Sequence, residues 1–306
     1  MTRILVLGAE GQIGSEIVRA LSTEDAFEVL PATRDGRFFG ASCLAIDLAR
    51  IHELNRVLTG IRPDVIVNAA AYTHVDNAER EPSLVYQVNG EAPGQLANYC
   101  RDAGSALVHF STDYVFDGRA RTPYQTDSVT NPLNVYGRSK LAGEREIAAT
   151  GCNFLILRTA WVYSHFRRNF LTTMLNLAQT RDEVAVVDDQ IGSPTPALYV
   201  ATVTKKLLTA GINGQSIEQV VTSGAESWAG FAEAIFDELK QHRLIVSKPR
   251  VERISSEAYK TAAVRPAYSV LDNGGLRKRD IEVPHWRDEL ANFFRQRALE
   301  IGTQQK

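Results

Sequence analysis

Cysteine is scarce. The 306-residue chain carries three, Cys43, Cys100 and Cys152. They are widely separated, odd in number and without a CxxC spacing, so neither a disulfide framework nor a thiolate zinc site is expected. They are read as reduced thiols acting as small buried hydrophobes. No stretch approaches the ~18 consecutive apolar residues of a membrane helix. The apolar run at 4–7 is too short for a secretory signal and gives way at once to Gly8 and Glu10. A cytoplasmic protein without a membrane partner is therefore expected. An excess of one charge is missing too. The 34 Lys and Arg against 36 Asp and Glu give a net charge of −2, which offers no field for nucleic acid or an anionic lipid surface. There is no internal repeat and no low-complexity segment.

What is present is alternation. Short apolar runs at 4–7, 27–30, 43–46, 64–67, 106–110 and 154–157 read as buried parallel strands, because strands covered on both faces need no polar side. Amphipathic segments separate them. Helices are expected over 13–21, over 48–58 with Asp47 as N-cap, over 84–103 with a break at Gly90 and Pro93, and over 136–149. This pattern predicts an α/β fold, a Rossmann-like doubly wound parallel sheet with a smaller C-terminal substrate-binding lobe. Residues 1–158 are assigned to the nucleotide-binding part, completed by about 196–222, and 159–195 with 223–306 to the lobe. In the C-terminal half, helices are expected over 200–208, 228–239 and 285–297, and a frayed tail over 302–306.

Ligands of such sheets sit at the carboxyl ends of the strands, and the polar motifs fall there. Gly8-Ala9-Glu10-Gly11-Gln12-Ile13-Gly14 follows the first strand and opens a helix. Gly8 permits the turn, Gly11 lets the backbone approach a pyrophosphate, and Gly14 lets helix and strand pack closely. The helix N-terminus adds unpaired N–H groups and partial positive charge. After the second strand, Arg34 suits the 2′-phosphate of NADPH, while Asp35 beside it leaves NADH open. Asp47 and Leu48 end the third strand, where an adenine could lie, and Ala69, Ala70 and Ala71 leave room for a cofactor after the fourth.

Tyr136 and Lys140 stand one helical turn apart on one face. Reducing a ketone needs a proton donor, and an ammonium beside a phenol is expected to lower its pKa from near 10. Thr112, after the fifth strand, is placed to hold the substrate oxygen, with Asp113 and Tyr114 as sugar contacts. Arg167, Arg168 and Arg265 are candidates for the substrate diphosphate. His74 and His109 lie within reach of the pocket but are read as surface or core residues.

The strings GAEGQIG, NAAAYTHVDNAE, STDYVFDG, NPLNVYGRSKLAGE and RTAWVY resemble the extended short-chain dehydrogenase/reductases. More narrowly, together with VVDDQIGSPT, SGAESWAGFAEAIF and RPAYSVLDN, they are similar to the branch acting on dTDP-4-dehydro-L-rhamnose. The resemblance runs nearly end to end. It implies NAD(P)H-dependent reduction of the C4 keto group of a dTDP-sugar, with Thr112, Tyr136 and Lys140 catalytic. It also implies that Gly11, Gln12, Ile13, Asp47, Leu48, Ala70, Ala71 and Tyr72 contact the cofactor, that Lys140 holds the nicotinamide ribose, and that Thr112, Asp113 and Trp161 contact the substrate. Some members dimerise around magnesium held by glutamates. Glu16 stands at one such position, but Leu198 replaces another, so no metal is assigned and a monomer or homodimer is expected. Tyr268 stands where the family has asparagine. The residues leave open another nucleotide-sugar reductase or epimerase of the same fold. They also leave open a non-catalytic NADP-binding subunit resembling the beta subunit of methionine adenosyltransferase.

Overall fold

A computed structural model describes the backbone of residues 1–304 and side chains to residue 296. Part of the tail expected to fray therefore lies outside the described residues.

The N-terminal half alternates as its sequence dictates. Strand β1 (Thr2–Leu7) leads into helix α1 (Gln12–Leu21), then β2 (Phe27–Thr33), β3 (Leu44–Ala45), α2 (Ile51–Ile61) and β4 (Val65–Asn68). Helix α3 (Pro82–Tyr86) passes through a π-helical turn (Gln87–Glu91) into α4 (Ala92–Ala103). Strand β5 (Ala106–Thr112), helix α5 (Val135–Thr150) and strand β6 (Asn153–Thr159) follow. Helix α6 (Phe170–Thr180), strand β7 (Glu183–Val187), helix α7 (Ala197–Thr209) and strand β8 (Gln215–Gln219) come next, and then α8 (Trp228–Gln241), β9 (Arg250–Ile254) and α9 (Trp286–Gln304). The main sheet has seven parallel strands in the order β8-β6-β5-β4-β1-β2-β3. Its order reverses at β1, the place where such sheets bind nucleotides.

Alternate residues of each strand feed opposite cores. Ile4, Val6, Val67, Val108 and Leu155 pack with α1 and α7 through Ile17, Leu21, Val200 and Val203. Leu5, Leu7, Ile66, Leu107 and Ile156 pack with α2, α4 and α5 through Leu58, Leu96, Cys100 and Ile147. At about 25 cal/mol per Å2 of apolar surface withdrawn from water, these two-sided strands are where the sheet gains most of its stability. A third core joins α6, α8 and the start of α9 through Leu171, Met174, Phe231, Ile235 and Trp286. The cysteines are free, with Cys100 and Cys152 buried and Cys43 half-buried. No helix among the described residues is long and apolar enough to cross a membrane.

Three local expectations change. Helix α2 starts at Ile51, not Leu48, and Asp47 does not cap it. The Asp47 carboxylate accepts the Ala49 N–H at 3.0 Å and so holds a turn ahead of the helix. The third strand shrinks to two residues because it is the sheet edge and pairs only with Ala32 and Thr33. The break expected at Gly90 is a π turn, one extra residue inserted into the helical ladder.

Candidate active site

The glycine turn is a cradle that side chains would fill. A Cβ on Gly8, whose φ is +70°, would lie 2.7 Å from the Ala70 backbone. One on Gly14 would lie 2.1 Å from the Gly8 carbonyl oxygen. The turn is closed by the Gly11 N–H donating to the Gly8 carbonyl at 2.9 Å, and α1 starts at Gln12 with Gly11 as its N-cap. The first turn of that helix therefore offers N–H groups beside the open backbone of 69–71, which is what a dinucleotide pyrophosphate requires. Ile13 packs beneath, against the first core. Arg34 and Asp35 are exposed at the end of β2. Asp35 is held in a local turn, accepting from the Thr33 hydroxyl at 3.0 Å. Leu48 is buried in the second core, so its side chain serves packing and only its backbone remains for a ligand.

Tyr136 and Lys140 do lie on one face of α5, held in place from several directions. The Asn134 side chain caps the helix by accepting from the Gly137 N–H at 2.8 Å. Gly137 lets the helix sit on the Tyr114 carbonyl, since a Cβ there would be 2.2 Å from that oxygen. The Arg158 guanidinium of β6 grips Glu144 through two donors at 2.9 and 2.7 Å, both residues buried. Asn89, in the π turn, donates to Ser139 Oγ at 3.1 Å while exchanging hydrogen bonds with the Tyr72 backbone. No motif around Asn89 announces this strut.

At the end of β5 the buried Thr112 hydroxyl donates to Asp113 Oδ1 at 2.9 Å. Burial pushes the Asp113 carboxyl up to about 6, against opposing hydrogen bonds from Ser269 and Thr112. The Tyr114 and Tyr136 rings meet edge to face at 5.9 Å. Tyr136 is corrected in one respect. Burial pushes its phenol up to about 12, with Thr112 lowering it and Asp113 raising it. The expected depression by Lys140 is missing because the Lys140 amine is directed elsewhere: Nζ lies 3.1 Å from His109 Nε2. Burial lowers Lys140 itself to about 8. His109, read as a core or surface residue, is indeed buried but also touches Lys140, whereas His74 is exposed.

The C-terminal chain closes the cleft with aromatic residues. Trp161 has a left-handed φ of 47°, rare for a bulky residue and a conformation that surrounding structure must hold. It lies flat on Trp228, centroids 3.5 Å apart, and against Gly192, where a Cβ would be 2.3 Å from its indole nitrogen. Tyr268 and Trp161 both pack against the core of Val115, Phe116 and Leu271, and the Tyr268 ring lies 6.4 Å from that of Tyr124. The three arginines do not converge. Arg265 pairs with Asp76 at 2.7 Å, Arg167 pairs with Glu10 of the glycine turn, and Arg168 is exposed. Tyr72 donates its hydroxyl to Glu81, away from Lys140. Glu16 is buried beside Arg19, and Leu198 is partly exposed.

A glycine cradle after β1, with Thr112 ending β5 and Tyr136 and Lys140 opening α5 at the same end of one parallel sheet, describes a nucleotide-dependent dehydrogenase in general terms. The whole chain can be compared. Residues 1–299 match the family model described as the RmlD substrate binding domain. The chain belongs to the RmlD family. The dTDP-4-dehydrorhamnose reductase of Burkholderia thailandensis is 42% identical over 297 residues, covering 93% of this chain and 95% of that protein. The spore coat polysaccharide biosynthesis protein SpsK of Bacillus subtilis is 37% identical, covering 97% and 99%. The crystal structure of dTDP-4-dehydrorhamnose reductase from Bacillus anthracis in complex with NADP superposes with a TM-score of 0.87 at 33% identity, covering 97% of this chain and all of that one. The RmlD match extends through the aromatic C-terminal wall, so it takes in both sides of the cleft.

Proposed function

We propose that this RmlD-family chain reduces the C4 keto group of dTDP-4-dehydro-L-rhamnose to the alcohol of dTDP-L-rhamnose, using NADPH. The observation that carries the reading is that the glycine cradle and Thr112 lie at the carboxyl ends of β1 and β5, which flank β4 in one parallel sheet, with Tyr136 against Tyr114 just beyond Thr112. The two sides of the cleft correspond to residues 1–158 with 196–222, taken as the nucleotide-binding part, and the remainder, taken as the substrate lobe.

When bound, NADPH supplies a hydride to C4. Tyr136 then has to give a proton to the carbonyl oxygen. A phenol lifted to about 12 carries its proton at neutral pH, and the negative charge developing on the substrate oxygen has to draw that proton across. Thr112, whose hydroxyl donates to Asp113 in the free protein, is taken to turn from it and donate a hydrogen bond to the same oxygen. Lys140 is taken to reach the nicotinamide ribose, and Gly8, Gly11, Gln12, Ile13 and Gly14 to hold the phosphates, with Ala69, Ala70, Ala71 and Tyr72 along the cofactor. Arg34 is free to meet a 2′-phosphate. Asp113, Tyr114 and Trp161 are assigned to the sugar, with the stacked indole as its flat wall.

The test is NADPH and NADH consumption by the purified protein with dTDP-4-dehydro-L-rhamnose and with other nucleotide 4-keto-sugars. Preferential turnover of the rhamnose precursor is expected. Tight cofactor binding with no turnover of that compound would sink the assignment.

A further inference from the structure

Lys140 is one end of a buried polar chain that the reaction outlined above does not use. Asn68, His109 and Lys140 are each 2% exposed or less. Asn68 and His109 are register partners on β4 and β5. Asn68 Nδ2 lies 3.1 Å from His109 Nδ1, and Lys140 Nζ lies 3.1 Å from His109 Nε2. The Asn68 carbonyl oxygen is occupied, accepting the Ala70 N–H at 3.2 Å. Ala70 is the residue against which Gly8 packs, so its amide lies at the wall of the cofactor cleft.

Burial lowers His109 well below its ordinary pKa, with Lys140 reinforcing the effect. A neutral imidazole carries one N–H and accepts at one nitrogen only. Two arrangements satisfy it. In the first, with the amide nitrogen facing the ring, Asn68 donates to Nδ1, Nε2–H donates to Lys140, and the amine must be neutral to accept. In the second, a Lys140 ammonium donates to Nε2, Nδ1–H donates to the Asn68 oxygen, and the amide has turned over and released the Ala70 N–H. An unpaired buried N–H costs about 1–3 kcal/mol, so the second arrangement is favoured when something else accepts from Ala70.

We propose that Asn68 and His109 are a positioning pair that ties the charge on Lys140 to occupation of the cofactor wall at Ala70, with the His109 tautomer as the moving part. An oxygen acceptor of the nucleotide, phosphate or ribose, takes the Ala70 N–H. Asn68 then turns its oxygen to His109, and Lys140 holds its proton while the cofactor is present. Glu144 and charged groups on the elements that pack against α5 are engaged elsewhere. Glu144 is gripped by Arg158 of β6. Asp76, Glu79 and Glu81 bond to Arg265, the Val135 N–H and Tyr72, and Arg101 pairs with Asp102 on α4. Asp113 and Tyr136 stand at the cleft end of the site.

The cofactor link rests on the reading of the cleft given above, whereas the coupling of tautomer to charge does not. Both are read by 15N NMR of the histidine-labelled full-length protein, with His109→Gln assigning the signal. Without cofactor, titration from about pH 6 to about pH 10 should move the proton from Nδ1 to Nε2 with a midpoint at about 8. In Lys140→Met the change should vanish. A single tautomer throughout, or a change that persists in Lys140→Met, overturns the proposal. Saturating NADP+ should raise the midpoint. Bound NADP+ with an unmoved midpoint overturns the link to Ala70, and failure of NADP+ to bind overturns the cofactor reading while the titration still decides the coupling.

Discussion

In the proposed reaction the Tyr136 hydroxyl changes protonation during turnover, yet its surroundings hold it as a phenol. This gives the reaction a direction. Reduction uses the phenol, so its rate should stay flat from about pH 6 to about pH 9 insofar as Tyr136 governs it, whereas oxidation of dTDP-L-rhamnose by NADP+ needs the phenolate and should climb steadily with pH. Parallel profiles for the two directions would contradict this. Tyr136→Phe should lower turnover about 10²–10⁴-fold with NADPH affinity, measured by cofactor fluorescence, unchanged. Asp113 makes a complementary case. Its folded pKa of about 6 lies above the ordinary 3.8, so the folded state favours the protonated acid. That advantage is fully present below the unfolded value and is lost as pH rises through the folded one. Asp113→Asn should therefore stabilise the fold at pH 8 by up to about 3 kcal/mol in urea unfolding, shrinking toward zero at pH 4, while impairing turnover. The Tyr136–Lys140 spacing and the glycine turn were legible in the sequence because each is a local pattern. His109 was not, because its partners come from two other elements and nothing in ALVHFST distinguishes a buried ligand of lysine from a packing residue.

Elements hold these groups in place, and the Arg158–Glu144 pair between β6 and α5 is the deepest fastening. Removing one partner strands a buried charge, so Arg158→Met should cost about 3–5 kcal/mol in chemical denaturation, with Arg158→Met/Glu144→Leu recovering most of it. Equal losses in the single and double variants would mean that the guanidinium matters through packing alone. Gly192→Ala makes a sharper geometric test. Its Cβ would enter the Trp161 indole, so the ring must leave its stack on Trp228. Near-UV circular dichroism should lose the coupled tryptophan signal, and stability should fall by about 1–3 kcal/mol. The strands buried on both faces were readable as continuous apolar runs. One edge strand was not. QSIEQ at Gln215–Gln219 has a single apolar residue, since an outer strand can face water, whereas the opposite edge strand, read over 43–46, is present over two residues. Helix α2 begins later than its sequence suggests because Asp47 spends its carboxylate on Ala49.

At the scale of the molecule, two ion pairs tie the C-terminal chain to the N-terminal sheet: Arg265 to Asp76, and Arg167 to Glu10. Both are partly exposed, so neither should contribute more than about 1 kcal/mol to stability, and their consequence is registration of the two cleft walls. The seven-stranded sheet imposes a separate order of events. Its outer strand beside β6 is β8, which the chain reaches only at residues 215–219 after the excursion through α6, β7 and α7. A nascent polypeptide leaving the ribosome therefore carries β6 with one bare, hydrogen-bonding edge until that later segment emerges. Synthesis must pass through a sticky interval between residues 159 and 219, during which the half-built sheet depends on chaperones or on speed to avoid joining its neighbours.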